Sequence, residues 1–90
     1  MSRAGIAKEN FLKGYTCAQA VLLAFSDLTH ADEETAKKIS LPFGGGTGRL
    51  RLTCGSFSGA VMALGLLFSD TKTDPENKRE VYAAVQELAA

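Results

Sequence analysis

Cys54-Gly55-Ser56-Phe57-Ser58-Gly59-Ala60-Val61-Met62-Ala63-Leu64-Gly65-Leu66-Leu67-Phe68 is the stretch on which the fold turns. Its apolar run, 59–68, is about half of the roughly 20 residues that a membrane-crossing helix requires, so it reads as a buried core helix. Thr53 can cap it, and the spacing predicts a helix over 54–69. Within it Gly55, Gly59 and Ala63 fall four apart on one side, beside a second row of Ser58, Met62 and Leu66. A row of small side chains lets a second helix approach closely.

The partner expected for that row is the helix opened by Thr16-Cys17-Ala18-Gln19. Thr16 and Gln19 have the spacing of a capping box, and Ala18, Val21, Leu22, Phe25 and Leu28 form a wide apolar face running to about residue 29. Outward from this pair, Ala4, Ala7, Phe11 and Leu12 recur at helical spacing over 2–13, with Gly14 as a stop. Asp32-Glu33-Glu34 places acid at the positive end of another helix that carries Lys37 and Lys38 near its other end and stops at Pro42. Asp74-Pro75-Glu76 starts a last helix with the stripe Val81, Ala84, Val85, Leu88. The expected fold is all-α: a compact bundle of about five short helices, with a glycine-rich loop before the fourth, in a single domain over 1–90.

The chain's 90 residues allow one modest core. Hydrophobic residues make up 46% and charged residues 22%, which suits a globular domain rather than a disordered one. Ten basic residues balance ten acidic ones, so no field of one sign attracts nucleic acid or an anionic membrane. The first ten residues lack the apolar run of a secretory signal, and the reading is a cytoplasmic protein without membrane insertion. Two cysteines in a reducing compartment are more often free, catalytic, redox-sensing or metal-binding than a permanent staple.

Both thiols fall at one kind of place, just after a capping threonine in the first turn of an apolar helix. Unpaired N–H groups and the helix dipole there favour a thiolate, which makes Cys17 and Cys54 the candidate catalytic residues. Lys13 is placed to add positive charge near Cys17, and Arg49 and Arg51 near Cys54. If the two helices pack with their N-termini together, the sulfurs can meet. A disulfide closing the 36 intervening residues would then stabilise the fold by roughly 3–4 kcal/mol in chain-entropy terms. The alternative from the residues alone is that both cysteines are small apolar core residues.

Gly44, Gly45, Gly46 and Gly48, with Arg49, are the candidate cofactor-binding residues, since a glycine-rich nest can cradle an anion. The loop lacks the ending of a P-loop and the context of a dinucleotide fingerprint, and the same glycines can instead shape a turn that lets the cysteines approach. No particular cofactor is indicated. His30 is the single histidine, and two cysteines with one distant histidine match no zinc spacing, so no metal ligands are assigned. With neither CxxC nor CxxCH, thioredoxin and covalent haem motifs are excluded.

Two segments, 10–25 and 42–69, resemble the family named C_GCAxxG_C_C, whose members are described as redox-active from their cysteines. Cys17-Ala18-Gln19 matches its early cysteine, Gly44 to Gly48 its glycine-rich loop, and Cys54-Gly55-Ser56-Phe57-Ser58-Gly59 its CGAxxG motif with Ser56 in place of alanine. The resemblance implies a Cys17/Cys54 thiol–disulfide couple, an unidentified electron or thiol partner, and an association with transporters. Family members carry two further cysteines in a C-terminal extension, so the chain is expected to be a short member or the N-terminal part of a longer family domain. Two alternatives accompany this reading: a metal or iron–sulfur module completed by a C-terminal segment or by the second subunit of a homodimer, and a non-catalytic helical interaction module.

Overall fold

The computed structural model describes residues 2–69 and 75–89. Asp74, the first of the expected start signals for the last helix, lies outside the described residues. Six α-helices follow in order among those described: α1 (Arg3–Leu12), α2 (Cys17–Leu23), α3 (Ser26–Thr29), α4 (Glu33–Ser40), α5 (Gly55–Phe68) and α6 (Pro75–Ala89), with a 3-10 turn Leu41–Phe43 after α4. The all-α bundle expected from the periodicities is the fold.

α2 is the centre of the bundle. It packs against α1, α4 and above all α5, and five of its seven residues are buried. The capping box forms: Thr16 Oγ1 accepts from the Gln19 N–H, and the Thr16 N–H donates to Gln19 Oε1. The other end of the same buried amide, Nε2, donates to the Lys37 carbonyl at 2.9 Å, so one side chain both starts α2 and ties it to α4. α4 begins with Asp32 accepting from the Thr35 N–H and hydroxyl. Beyond it Ser40 is fully buried, its hydroxyl donating to the Ala36 carbonyl.

The helix expected to run from 16 to 29 is instead broken at its middle. Arg3, from α1, donates to the Ala24 carbonyl at 2.8 Å and pairs with both Asp27 oxygens while its guanidinium lies over the Phe25 ring. With that carbonyl engaged from outside, the Leu28 N–H bonds to Phe25 in a tighter i to i−3 turn. α2 closes at Leu23 and α3 is a separate turn, which raises the helix number from five to six.

α2 and α5 are parallel. Cys17 at the start of α2 meets Gly55 at the start of α5; Ala18 and Val21 meet Gly59; Leu22 shares a cluster with Ala63 and Met62. The row Gly55, Gly59, Ala63 is the buried face of α5, as its spacing anticipated. A Cβ on Gly59 would lie 2.6 Å from the Ala18 carbonyl oxygen. The buried apolar side chains are small, namely Ala18, Ala20, Ala24, Ala36 and Ala63 with Leu22 and Leu23, so helix backbones lie close together in place of bulky side chains.

Candidate thiol site

Because α2 and α5 are parallel and in register, their two N-termini converge, and each brings a cysteine. Cys17 is the first residue of α2 and is half-buried. Its sulfur occupies the space where a side chain on Gly55 would begin, a position that also lies 3.2 Å from the Ala18 nitrogen and 3.2 Å from the Phe43 carbonyl oxygen. Gly55 follows Cys54 directly, and consecutive Cα atoms are about 3.8 Å apart. The structure therefore seats the Cys17 sulfur one residue from the second cysteine, and both thiols are free.

Cys54 is exposed and is itself the N-cap of α5, with φ −56° and ψ 130°. The expected cap, Thr53, stands one residue further out. The sulfur makes no cap hydrogen bond of regular geometry, yet the N–H groups of Ser56 and then Phe57 hold the thiol below its ordinary pKa against the opposing effect of burial, with a smaller contribution from the Ser56 hydroxyl. This is the direction expected at a helix N-terminus, where unpaired N–H groups stabilise the anion. Arg49 and Arg51, expected to supply positive charge, are not among the groups that lower it. Their backbone N–H groups donate to the Gly44 and Gly45 carbonyls within the loop.

That loop has an unusual shape. Gly45, Gly46, Thr47, Gly48 and Arg49 all have positive φ, and Arg51 follows with φ 59°. At Gly46, with φ 78°, glycine is required twice over, because a Cβ there would also lie 2.5 Å from the Arg51 Cα. The N–H groups of Gly44, Thr47, Gly48 and Arg49 donate back to Leu41, Phe43, Pro42 and Gly44, which directs them into the loop itself. At the loop's start Gly44 packs directly on the Thr16 side chain, where a Cβ would stand 2.7 Å from the Thr16 Cβ. Gly44 and the Phe43 carbonyl thus adjoin the N-termini of both helices.

His30 closes α3 with φ 53°, past the C-terminal end of α2 and away from the thiols. Among the described residues no three of His, Cys, Asp and Glu gather into a group that could hold a metal ion, and no helix is long and apolar enough to cross a membrane. Two features of the site lay outside the sequence reading: the contact of Gly55 with the Cys17 sulfur, and the part of Ser56 in stabilising Cys54. The four-residue spacing of Gly55 and Gly59 was the available signal for the first.

The lowered pKa gives a pH dependence for Cys54. Only the thiolate is alkylated, so its iodoacetamide rate should reach half of its alkaline plateau at a lower pH than that of an unstructured cysteine peptide. The same group should stabilise the fold most at high pH, and that contribution should fade as pH drops through the folded-state pKa. The pH–rate profile of the Cys17→Ser variant measures Cys54 alone, and a midpoint at or above that of the peptide would contradict the N–H arrangement at α5.

No curated protein and no solved structure matches the chain. A family model matches residues 15–90, a span that contains both cysteines, the glycine loop and the whole α2/α5 contact. With most of its length matched, from the residue before the Thr16 cap onward, the chain belongs to the family described as "Putative redox-active protein (C_GCAxxG_C_C)".

Proposed function

We propose that the protein is a thiol–disulfide redox protein in which Cys17 and Cys54 cycle between dithiol and disulfide. The observation that carries this reading is the Cys17 sulfur lodged against Gly55, beside an exposed Cys54 whose thiolate is favoured. The two cysteines differ in a useful way. Cys54 is exposed and its thiolate is favoured, which suits attack on a disulfide of a partner; half-buried Cys17 suits the second, resolving attack.

In the forward direction the Cys54 thiolate attacks one sulfur of the partner's disulfide, forming a mixed disulfide and releasing one partner thiolate. Cys17, on losing its proton to solvent, attacks the Cys54 sulfur and releases the second partner thiolate. Two electrons pass to the partner, and Cys17–Cys54 becomes the disulfide. A couple of this kind needs re-reduction and fits a reducing compartment such as the cytoplasm. The glycine loop contributes by packing Gly44 on Thr16, which helps to set the start of α2 and with it the position of Cys17.

Anaerobic thiol trapping with intact-mass spectrometry tests the proposal. Reduced protein should take up two alkyl groups, and mildly oxidised protein none, having lost two hydrogens to an intramolecular bond. Oxidised protein that still alkylates at both cysteines, or that forms only intermolecular disulfides, would rule out the internal couple.

A further inference from the structure

Cys17 lines a cleft that the couple itself does not require. The cleft lies between α1, α2 and α5, has a volume of about 360 Å³, is walled by Phe11 and Val21, and has Ser56 beside Cys17. Exposed Lys8 is the one charged side chain lining it and is in no ion pair among the described residues. Cys54 does not line it. The volume falls near the small end of the roughly 300–1,000 Å³ range of small-molecule sites, which favours a compact ligand over a polypeptide.

We propose that this cleft receives a low-molecular-weight thiol bearing a carboxylate, which reduces the Cys17–Cys54 disulfide by attack on the Cys17 sulfur. The inference rests on the couple proposed above and adds its reductant. The thiol loses its proton to solvent, and its sulfur bonds to Cys17 as the bond between Cys17 and Cys54 breaks with the electron pair leaving on Cys54. Cys54 is a good leaving group, because a lowered thiol pKa speeds departure and the Ser56 and Phe57 N–H groups receive the anion. A second small thiolate then attacks the ligand sulfur of the mixed disulfide. Cys17 is released and takes a proton from water, and the two small thiols leave as one disulfide. The two sulfurs thus have separate clients: outward-facing Cys54 meets the substrate, and Cys17 meets the reductant in the cleft.

The test has two parts. In the Cys54→Ser variant, where serine is a strong N-cap and α5 keeps its start, Cys17 is reacted with three small disulfides that differ in charge: dithiodiglycolate, hydroxyethyl disulfide and cystamine. Each rate is divided by the same probe's rate with N-acetylcysteine amide. The anionic probe should exceed the neutral one about two- to five-fold, the range that one solvent-exposed charge pair supplies, with the cationic probe slowest. The preference should shrink as salt rises, vanish with Lys8→Ala and invert with Lys8→Glu. Equal normalised rates, or a preference that survives Lys8→Ala, would overturn the site.

In the second part, oxidised wild-type protein is treated with thioglycolate and quenched in acid, and the mixed disulfide is mapped by peptide mass. Location on Cys17 supports the proposal, and location on Cys54 overturns it. If wild-type protein forms no internal disulfide at all, the couple and the reduction step both fall, while the probe series on Cys54→Ser still decides the cleft by itself.

Discussion

Gly59→Ala is expected to destabilise the protein by about 2–3 kcal/mol, at the upper end of what overpacking a close contact costs. Helix propensity alone would favour the change by up to about 1 kcal/mol, so the steric effect must exceed that gain. It does so because the new methyl would stand 2.6 Å from the Ala18 carbonyl oxygen and 3.0 Å from the Val21 Cβ. Backbone atoms of a central helix cannot rotate aside, and relief requires α2 and α5 to separate along their length. At roughly 4–8 °C per kcal/mol for a domain of 60–100 residues, thermal unfolding followed by circular dichroism should show a fall of about 10–20 °C. Gly65→Ala is the internal control. In the same helix, its added methyl would meet only the Ser69 hydroxyl, at 4.0 Å, and it should stabilise by about 0.5–1 kcal/mol. If both variants melt above the wild type, the parallel α2/α5 contact is not where the structure places it.

Gly55→Ala is expected to act on the thiols more than on stability. The methyl would coincide with the Cys17 sulfur, and a cysteine side chain can yield by turning about χ1, at a cost of about 1 kcal/mol. Turning removes the sulfur from its place beside Cys54. The intramolecular disulfide that forms on mild oxidation should then fall from nearly complete to a minor fraction, while Cys17 alkylates faster than in the wild type. A double-mutant cycle isolates the cause. In the Cys17→Ala background the methyl keeps only its 3.2 Å contacts with the Ala18 nitrogen and the Phe43 carbonyl oxygen, so Gly55→Ala should there cost less than in the wild type, and the coupling between the two positions should be about 1 kcal/mol. Full disulfide formation in Gly55→Ala would place the Cys17 sulfur elsewhere.

Local interactions were legible in the sequence, and among distant ones the α2/α5 pairing was legible too, while others were not. The Thr16/Gln19 capping box and the Asp32 cap depend on residues three apart, and both form as their spacing announces. The small face of α5 was legible for a related reason, since Gly55, Gly59 and Ala63 show their purpose through helical geometry alone. The break in α2 was hidden because its cause, Arg3 donating to the Ala24 carbonyl, comes from 21 residues away. Proximity in sequence suggested that Arg49 and Arg51 would serve the Cys54 thiolate, whereas both adopt positive φ and shape the loop. No propensity scale anticipates that Thr47, a β-branched residue, does the same. At Cys54 the expectation was right in chemistry and displaced by one residue in position, because the cysteine takes the cap that Thr53 was expected to hold.

A core assembled mainly from alanine also bears on the heat capacity of unfolding. That quantity grows with the apolar surface newly exposed to water and averages about 12–15 cal/mol/K per residue in globular proteins. Among the described residues five of the seven buried apolar side chains are single methyl groups, while Phe11, Leu12, Leu50, Leu52 and Phe68 are already in contact with solvent in the folded chain. Unfolding therefore exposes less apolar surface per residue than in a leucine-packed core, and the heat capacity increment is expected below that average, with a shallower curve of stability against temperature. The same close approach of α2 and α5 that seats the two thiols is therefore expected to accompany a stability that changes less steeply with temperature than that of a leucine-packed domain of equal length.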